Sequence, residues 1–287
     1  MSQENSSQSE QSGKVIGFYD HLDELRARLV RSLWVFMAGF VLCYFQADFF
    51  LEILRKPLFD ALPPEQQKLY FTSLFENFLT HLKIAGYASL FVGAPYYFWE
   101  LWQFIAPGLY PRERKMVVPF VTAASAFFVA GAAFAYYVLF PVGFKYFVSY
   151  GAASDVPLLT ISSYYDTALK LLLLFGLAFE LPVLIVLLGV LGVIDAAMLR
   201  AHRRTAIIGI AVLAALFAPP DAMSMIILGV PLVLMYEGAI WVVQILGARR
   251  SRQIDAAIAA AKAKEESQAG NKAGNKDEEN PLVGRSR

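Results

Sequence analysis

HLDELRARLVRSLWVFMAGFVLCYFQA, residues 21–47, changes character at Leu29. Ahead of it two acids and two arginines alternate, Asp23 and Glu24 with Arg26 and Arg28. From Leu29 to Ala47 the only charge is Arg31, close to the start. The second half reads as a membrane span and the first half as its doorway. Outward from there the whole chain repeats the pattern. Of its 287 residues 57% are hydrophobic and 17% charged, where a soluble domain carries about 25% charged residues. The charges fall in short clusters between long runs that lack them, the mark of a polytopic membrane protein.

Six such runs can be counted: roughly 29–47, roughly 78–99 with His81 and Lys83 near its start, 116–144 with no charge, 171–194 with only Glu180, 205–218, and roughly 222–248 interrupted by Glu237. Lipid offers the backbone no hydrogen-bond partners, and runs of this length without strand alternation satisfy themselves as helices. The expected fold is therefore all-α with six transmembrane helices, and an even count puts both termini on one side. Lys and Arg near the span ends fix which side. One side receives Lys14, Arg26, Arg28, Arg31, Arg112, Arg114, Lys115, Arg200, Arg203, Arg204, Arg249, Arg250 and Arg252. The other receives Arg55, Lys56, Lys68 and Lys145. The basic side is expected to be cytoplasmic.

Helices five and six are expected to be short. Residues 205–218, at about 1.5 Å per residue, cover roughly 21 Å of a hydrocarbon core about 30 Å thick. A tight outer turn, Pro219, Pro220 and Asp221, joins this run to the last one, and a locally thinned bilayer is expected around the pair. The outer loops, about 48–77 and 145–163, carry Pro57, Pro63, Pro64 and Pro157 and suit short interfacial helices capping the bundle. Residues 1–17 are expected as a disordered cytoplasmic leader with no basic n-region of a cleavable signal peptide, and 18–248 as the membrane domain. Residues 249–287 read as a cytoplasmic tail, helical at first and then disordered. The single cysteine, Cys43, lies in an apolar run and reads as a small buried side chain. A formal net charge of +1 gives no basic field for nucleic acid.

Five acids stand where lipid disfavours them. In the doorway Leu22, Leu25 and Leu29 share a helix face, Asp20 and Asp23 suit an N-terminal cap, and Glu24 with Arg28 has the i,i+4 order of an ion pair. Positive-inside logic accounts for the arginines and leaves Glu24 unexplained. A second glutamate, Glu113, lies between Arg112 and Arg114 in FIAPGLYPRERKMVVP, residues 104–119, which Pro107, Gly108 and Pro111 break into a loop. Glu180, in FGLAFELPVL, sits about ten residues from either end of its run, two before Pro182. An acid at mid-bilayer costs at least about 2.5 to 3.5 kcal/mol, and such groups face a bundle interior, water or a partner. Asp221 can cap the last helix, and Glu237 reads as structural.

Together HLDELRARL, FIAPGLYPRER, AFAYYVLFP, FGLAFELP and APPDAMS resemble the TatC family, the multispanning receptor subunit of the twin-arginine protein translocase. The resemblance covers the chain except its polar termini. It implies a concave, cupped arrangement of six helices with cytoplasmic termini in the cytoplasmic (inner) membrane. It also implies that Glu24 and Glu113 bind the paired arginines of a cargo signal peptide. The chemistry suits them, because a guanidinium offers a carboxylate a planar fork and lysine only a point charge. Arg26 is then expected to support Glu24, and Arg112 and Arg114 to support Glu113. Glu180 matches an intramembrane acid of the family, and Pro220 and Asp221 match a turn implicated in docking single-span partners of the TatA and TatB kinds. Where the family often has Thr and Gln around that turn, Ala218 and Met225 stand here, so its polar contacts are expected to differ.

The resulting expectation is a receptor and assembly core, hetero- and homo-oligomeric, for export of folded cargo driven by the proton gradient. No bond chemistry, cofactor or metal is expected: GxxxxGK[ST] is absent, and His21, His81 and His202 are scattered. A proton-coupled transporter of a small solute using Glu180 is the alternative, and it predicts repeat-like halves. The halves here differ.

Overall fold

The structure, a computed structural model, describes residues 4–105, 117–150, 158–217, 222–223 and 225–248; for residues 4–20, Tyr150 and Phe217 it describes the backbone alone. Ten helices are described: α1 Glu4–Phe45, α2 Ala47–Ala61, α3 Glu76–Ile105, α4 Val117–Phe134, α5 Phe140–Tyr150, α6 Ile161–Ala178, α7 Glu180–Val190, α8 Ala196–Ala201, α9 Arg203–Phe217 and α10 Met225–Ala248. Among the described residues the only β-type pairing is one parallel bridge, Tyr70 with Thr160. The all-α expectation holds.

Among the described residues four helical stretches are long and apolar enough to cross a membrane: His21–Phe45, Val117–Ser149, Ile161–Val190 and Met225–Ala248. The two remaining expected spans correspond to α3, which is long, and α9, which is 15 residues. At about 1.5 Å per residue α9 reaches only roughly 22 Å. The shortness expected of the last two helices therefore holds for α9, while α10 runs 24 residues. Residues 4–17, expected as a disordered leader, are helical. No proline interrupts residues 4–45, so α1 passes through Asp20 without the expected cap. The span in α6 starts ten residues ahead of 171, at the Thr160 cap, and Asp166 within it pairs with Lys83, with Nζ to Oδ1 at 2.7 Å.

α1 and α3 run antiparallel in close contact. His21 stacks on Phe104, Ser89 Oγ donates to Phe36 O at 2.9 Å, and Cys43 packs with Ala85 and Ala88. Small residues permit that approach: a Cβ on Gly39 would lie 2.5 Å from Ser89 Oγ. α4 meets α6 the same way, and a Cβ on Gly131 would run into the Phe175 carbonyl. Prolines shape the longer stretches. Pro141 cannot donate to the carbonyl four residues back, and a π-helical turn, Ala135–Leu139, precedes it between α4 and α5. Pro182 likewise leaves the Ala178 carbonyl without its donor, and α6 ends there. α7 closes with left-handed Gly192, where Val193 N donates to Leu188 O at 3.0 Å and Gly192 N to Gly189 O at 3.1 Å.

α2 buries Leu51, Leu54 and Leu58 along one stripe. Its Pro57 frees the Ile53 carbonyl, which the Tyr136 hydroxyl takes over at 2.9 Å. Tyr165 donates to Leu51 O at 3.0 Å, and Tyr164 donates to Leu54 O. The stretch 48–77, expected to hold short capping helices, forms α2 followed by a 3₁₀ turn, Pro64–Gln66. Beneath it the main core joins α2 to Ile84, Phe140, Phe175, Leu228 and Ile240.

Candidate functional site

α1 and α3 bring two acids together around one guanidinium. Arg28 Nε donates to Glu24 Oε1 at 3.1 Å and Nη2 donates to the same oxygen, while Nη1 donates to Glu100 Oε2 at 3.1 Å. Glu100 is buried, and both its oxygens are engaged: Tyr96 donates to Oε1 at 2.9 Å and Arg31 Nη2 lies 3.4 Å from Oε2. Glu24 is half-exposed and Arg28 mostly covered. The cluster holds two carboxylates and two guanidinia and so balances in charge. The His21–Phe104 stack lies about one helical turn beyond the cluster, towards the C-terminal end of α3.

The expected support of Glu24 by Arg26 is corrected by this geometry. Two residues along a helix is a rotation of about 200°, so i and i+2 do not face each other; Arg26 is exposed and Arg28 is the partner. Glu113, Arg112 and Arg114 lie outside the described residues, as do Pro220, Asp221 and Ala218. Met225 opens α10. Glu100, Arg31 and Tyr96 were not anticipated. The available signal is a lone acid four residues after Tyr96, in PYYFWELWQF, just past the apolar run 78–99.

Glu180 begins α7 at the break that Pro182 imposes. Its side chain is buried, and Oε1 has no hydrogen-bond partner among the described residues. Beside it, a cavity of about 380 Å³ opens between α4, α7 and α10, lined by Phe120, Phe127, Pro182, Val183, Met235 and Val242 among others. Glu237 accepts from Arg203 Nη2 and ties α10 to α9, the structural role expected of it.

A further acid, Glu76, organises the end of the bundle where α3 and α6 begin. Its Oε2 accepts from Thr72 N at 2.6 Å, Thr72 Oγ1 at 2.9 Å and Ser73 N at 3.2 Å, and Oε1 accepts from Ser162 N at 2.7 Å. The carboxylate thus joins the start of α3 to the first turn of α6. The Ser162 N–H, followed by that of Thr72, holds its pKa down to about 2. Among the described residues no three His, Cys, Asp or Glu side chains gather as metal ligands.

Comparison with known proteins adds three findings. Residues 20–231 match the family model of the Sec-independent protein translocase protein (TatC). The chain is 37% identical over 225 residues to the "Sec-independent protein translocase protein TatC" of Campylobacter jejuni, covering 78% of this chain and 92% of the relative. It is also 37% identical over 234 residues to the protein of the same description from Magnetococcus marinus, covering 82% and 86%. A solved structure described as "Crystal Structure of Twin Arginine Translocase Receptor- TatC" superposes with a TM-score of 0.69 at 30% identity, covering 79% of this chain and 99% of that one. A second, of the same receptor in DDM, gives 0.70 at 31% identity, covering 78% and 99%.

Proposed function

The chain belongs to the TatC family of Sec-independent protein translocase proteins, a membrane-embedded family of translocase components and not of enzymes, and from that premise we propose that it is the translocase's receptor for twin-arginine signal peptides. The observation that carries the reading is the bond pattern at Glu24: its Oε1 already accepts two N–H groups of a guanidinium, that of Arg28. A carboxylate placed to hold one arginine fork suits another. Glu113 supplies the second carboxylate, with Arg112 and Arg114 flanking it, on the segment that leaves α3 beside the Glu24 cluster. Solved relatives described as twin-arginine translocase receptors support the same reading.

The rest of the assembly is what the family resemblance and the charge pattern imply. Both termini face the cytoplasm of the inner membrane, on the side with the excess of Lys and Arg. Glu180, with a buried oxygen lacking a partner, draws water or a polar group of a single-span subunit of the TatA or TatB kind into the bilayer. The turn at Pro220 and Asp221 docks such subunits, in a hetero- and homo-oligomeric translocase that moves folded cargo on the proton gradient.

The test is binding of a synthetic twin-arginine signal peptide to the purified protein. Glu24→Gln and Glu113→Gln are each expected to weaken binding at least tenfold, about 1.4 kcal/mol, and a twin-lysine peptide to bind comparably poorly. Equal binding in all cases would make both glutamates structural.

A further inference from the structure

Arg28 is bonded to Glu24 and Glu100 at once, through different nitrogens. This bears on how a second guanidinium can reach Glu24. An arriving cargo arginine competes with Arg28 for the one negative charge of Glu24, whose Oε1 Arg28 already holds. A displaced Arg28, mostly covered by its neighbours, would be an unpaired cation in a dry place unless another carboxylate held it. Glu100 is that carboxylate. It is buried, lies 3.1 Å from Arg28 Nη1, and is pinned by Tyr96 on its other oxygen.

We propose that Glu100 sets the receptor's affinity and arginine specificity by retaining Arg28 when a cargo guanidinium takes Glu24, so that Arg28 acts as an internal stand-in that is exchanged and not expelled. Glu100 is a positioning residue here: it touches Arg28 and not the cargo. Exchange requires only rotation of the Arg28 guanidinium about the bond it keeps. A lysine in the cargo presents no fork to match the two bonds it would replace on Glu24, so Arg28 outcompetes it. Arg31, half-exposed and 3.4 Å from Glu100 Oε2, shares the oxygen that holds Arg28 and moderates the exchange. The proposal rests on the reading of Glu24 as the cargo site.

The experiment measures twin-arginine and twin-lysine peptide affinity for the full-length protein in lipid nanodiscs, with melting followed in parallel. In Glu100→Gln the shape is kept and the charge removed, so Arg28 stays on Glu24 and twin-arginine affinity falls about tenfold. In Arg28→Gln with Glu100→Gln the competitor is gone, and affinity returns to within about threefold of the unmodified protein. The double variant also discriminates less between the two peptides. A residue that merely props α1 on α3 would leave the double variant as weak as Glu100→Gln or weaker, and that result overturns the proposal, as does unchanged binding by Glu100→Gln. If Glu100→Gln fails to fold, Arg31→Gln decides: with less competition for Oε2, affinity rises about threefold, and an equal or lower affinity overturns the proposal. Glu24→Gln separates the two readings. If it leaves binding unchanged, the cargo site itself is misassigned and the exchange falls with it; if it weakens binding while Glu100→Gln does not, only the exchange falls.

Discussion

Glu76 and Glu100 stand at opposite ends of the same helix, α3, and are equally buried at 6% exposure. Their partners differ. Glu76 is held by three backbone N–H groups and one hydroxyl, donors that cannot leave without unfolding the outer loop or the first turn of α6. Glu100 is held by the ends of two arginines and a tyrosine, donors that can turn elsewhere while the helices stay in place. One burial thus gives a rivet at the start of α3 and an exchangeable clamp near its end. A buried acid becomes available to function when its partners are long side chains.

The largest stability effect is expected from breaking the rivet. Glu76→Ala orphans all four donors and is expected to lower the thermal midpoint by roughly 5 °C or more, measured by a fluorescence melt in detergent. Acid sharpens the same point. The carboxylate of Glu76 has its pKa lowered from 4.5 to about 2, so its contribution to stability is complete above about pH 4.5 and is lost as pH falls towards 2. Across that window the melting point of the unmodified protein should fall more steeply than that of Glu76→Gln. Parallel slopes would mean that the loop is held by something else. Next is Tyr136→Phe, which strips the donor from the carbonyl that Pro57 frees and is expected to cost about 1 kcal/mol in a denaturant titration. Smallest in stability is Glu100→Gln, expected to shift the melt less than Glu76→Gln although its effect on peptide affinity is the larger. A reversal of that order would undo the contrast between the two ends.

Much of this was legible in local spacing. Glu24 and Arg28, four apart, read as a pair and form one; the charge-free runs read as helices and are helices. What escaped depends on contacts distant in sequence. Arg28 and Glu100 are 72 residues apart, and Lys83 and Asp166 are 83 apart, so the acids on α3 and α6 looked like ends of spans when they are charges answered across the bundle. Glu76 had a local signal that went unused, because Ser73 and Glu76 have the spacing of a capping box and Glu76 accepts from the Ser73 N–H as that motif requires. Its partner from α6, the Ser162 N–H, is a backbone group that no residue type announces. The length of α10 escaped for another reason: the shortness of residues 205–218 was extended to a neighbour whose own run was long.

The most direct test of the receptor reading is a double-mutant cycle between the peptide and Glu24. Affinities are measured for twin-arginine and twin-lysine peptides against the unmodified protein and Glu24→Gln. If Glu24 holds a cargo guanidinium, the lysine peptide loses about tenfold or more on the unmodified protein and little on Glu24→Gln. If the loss is the same on both, the two changes are independent, and Glu24 is not where the arginines bind.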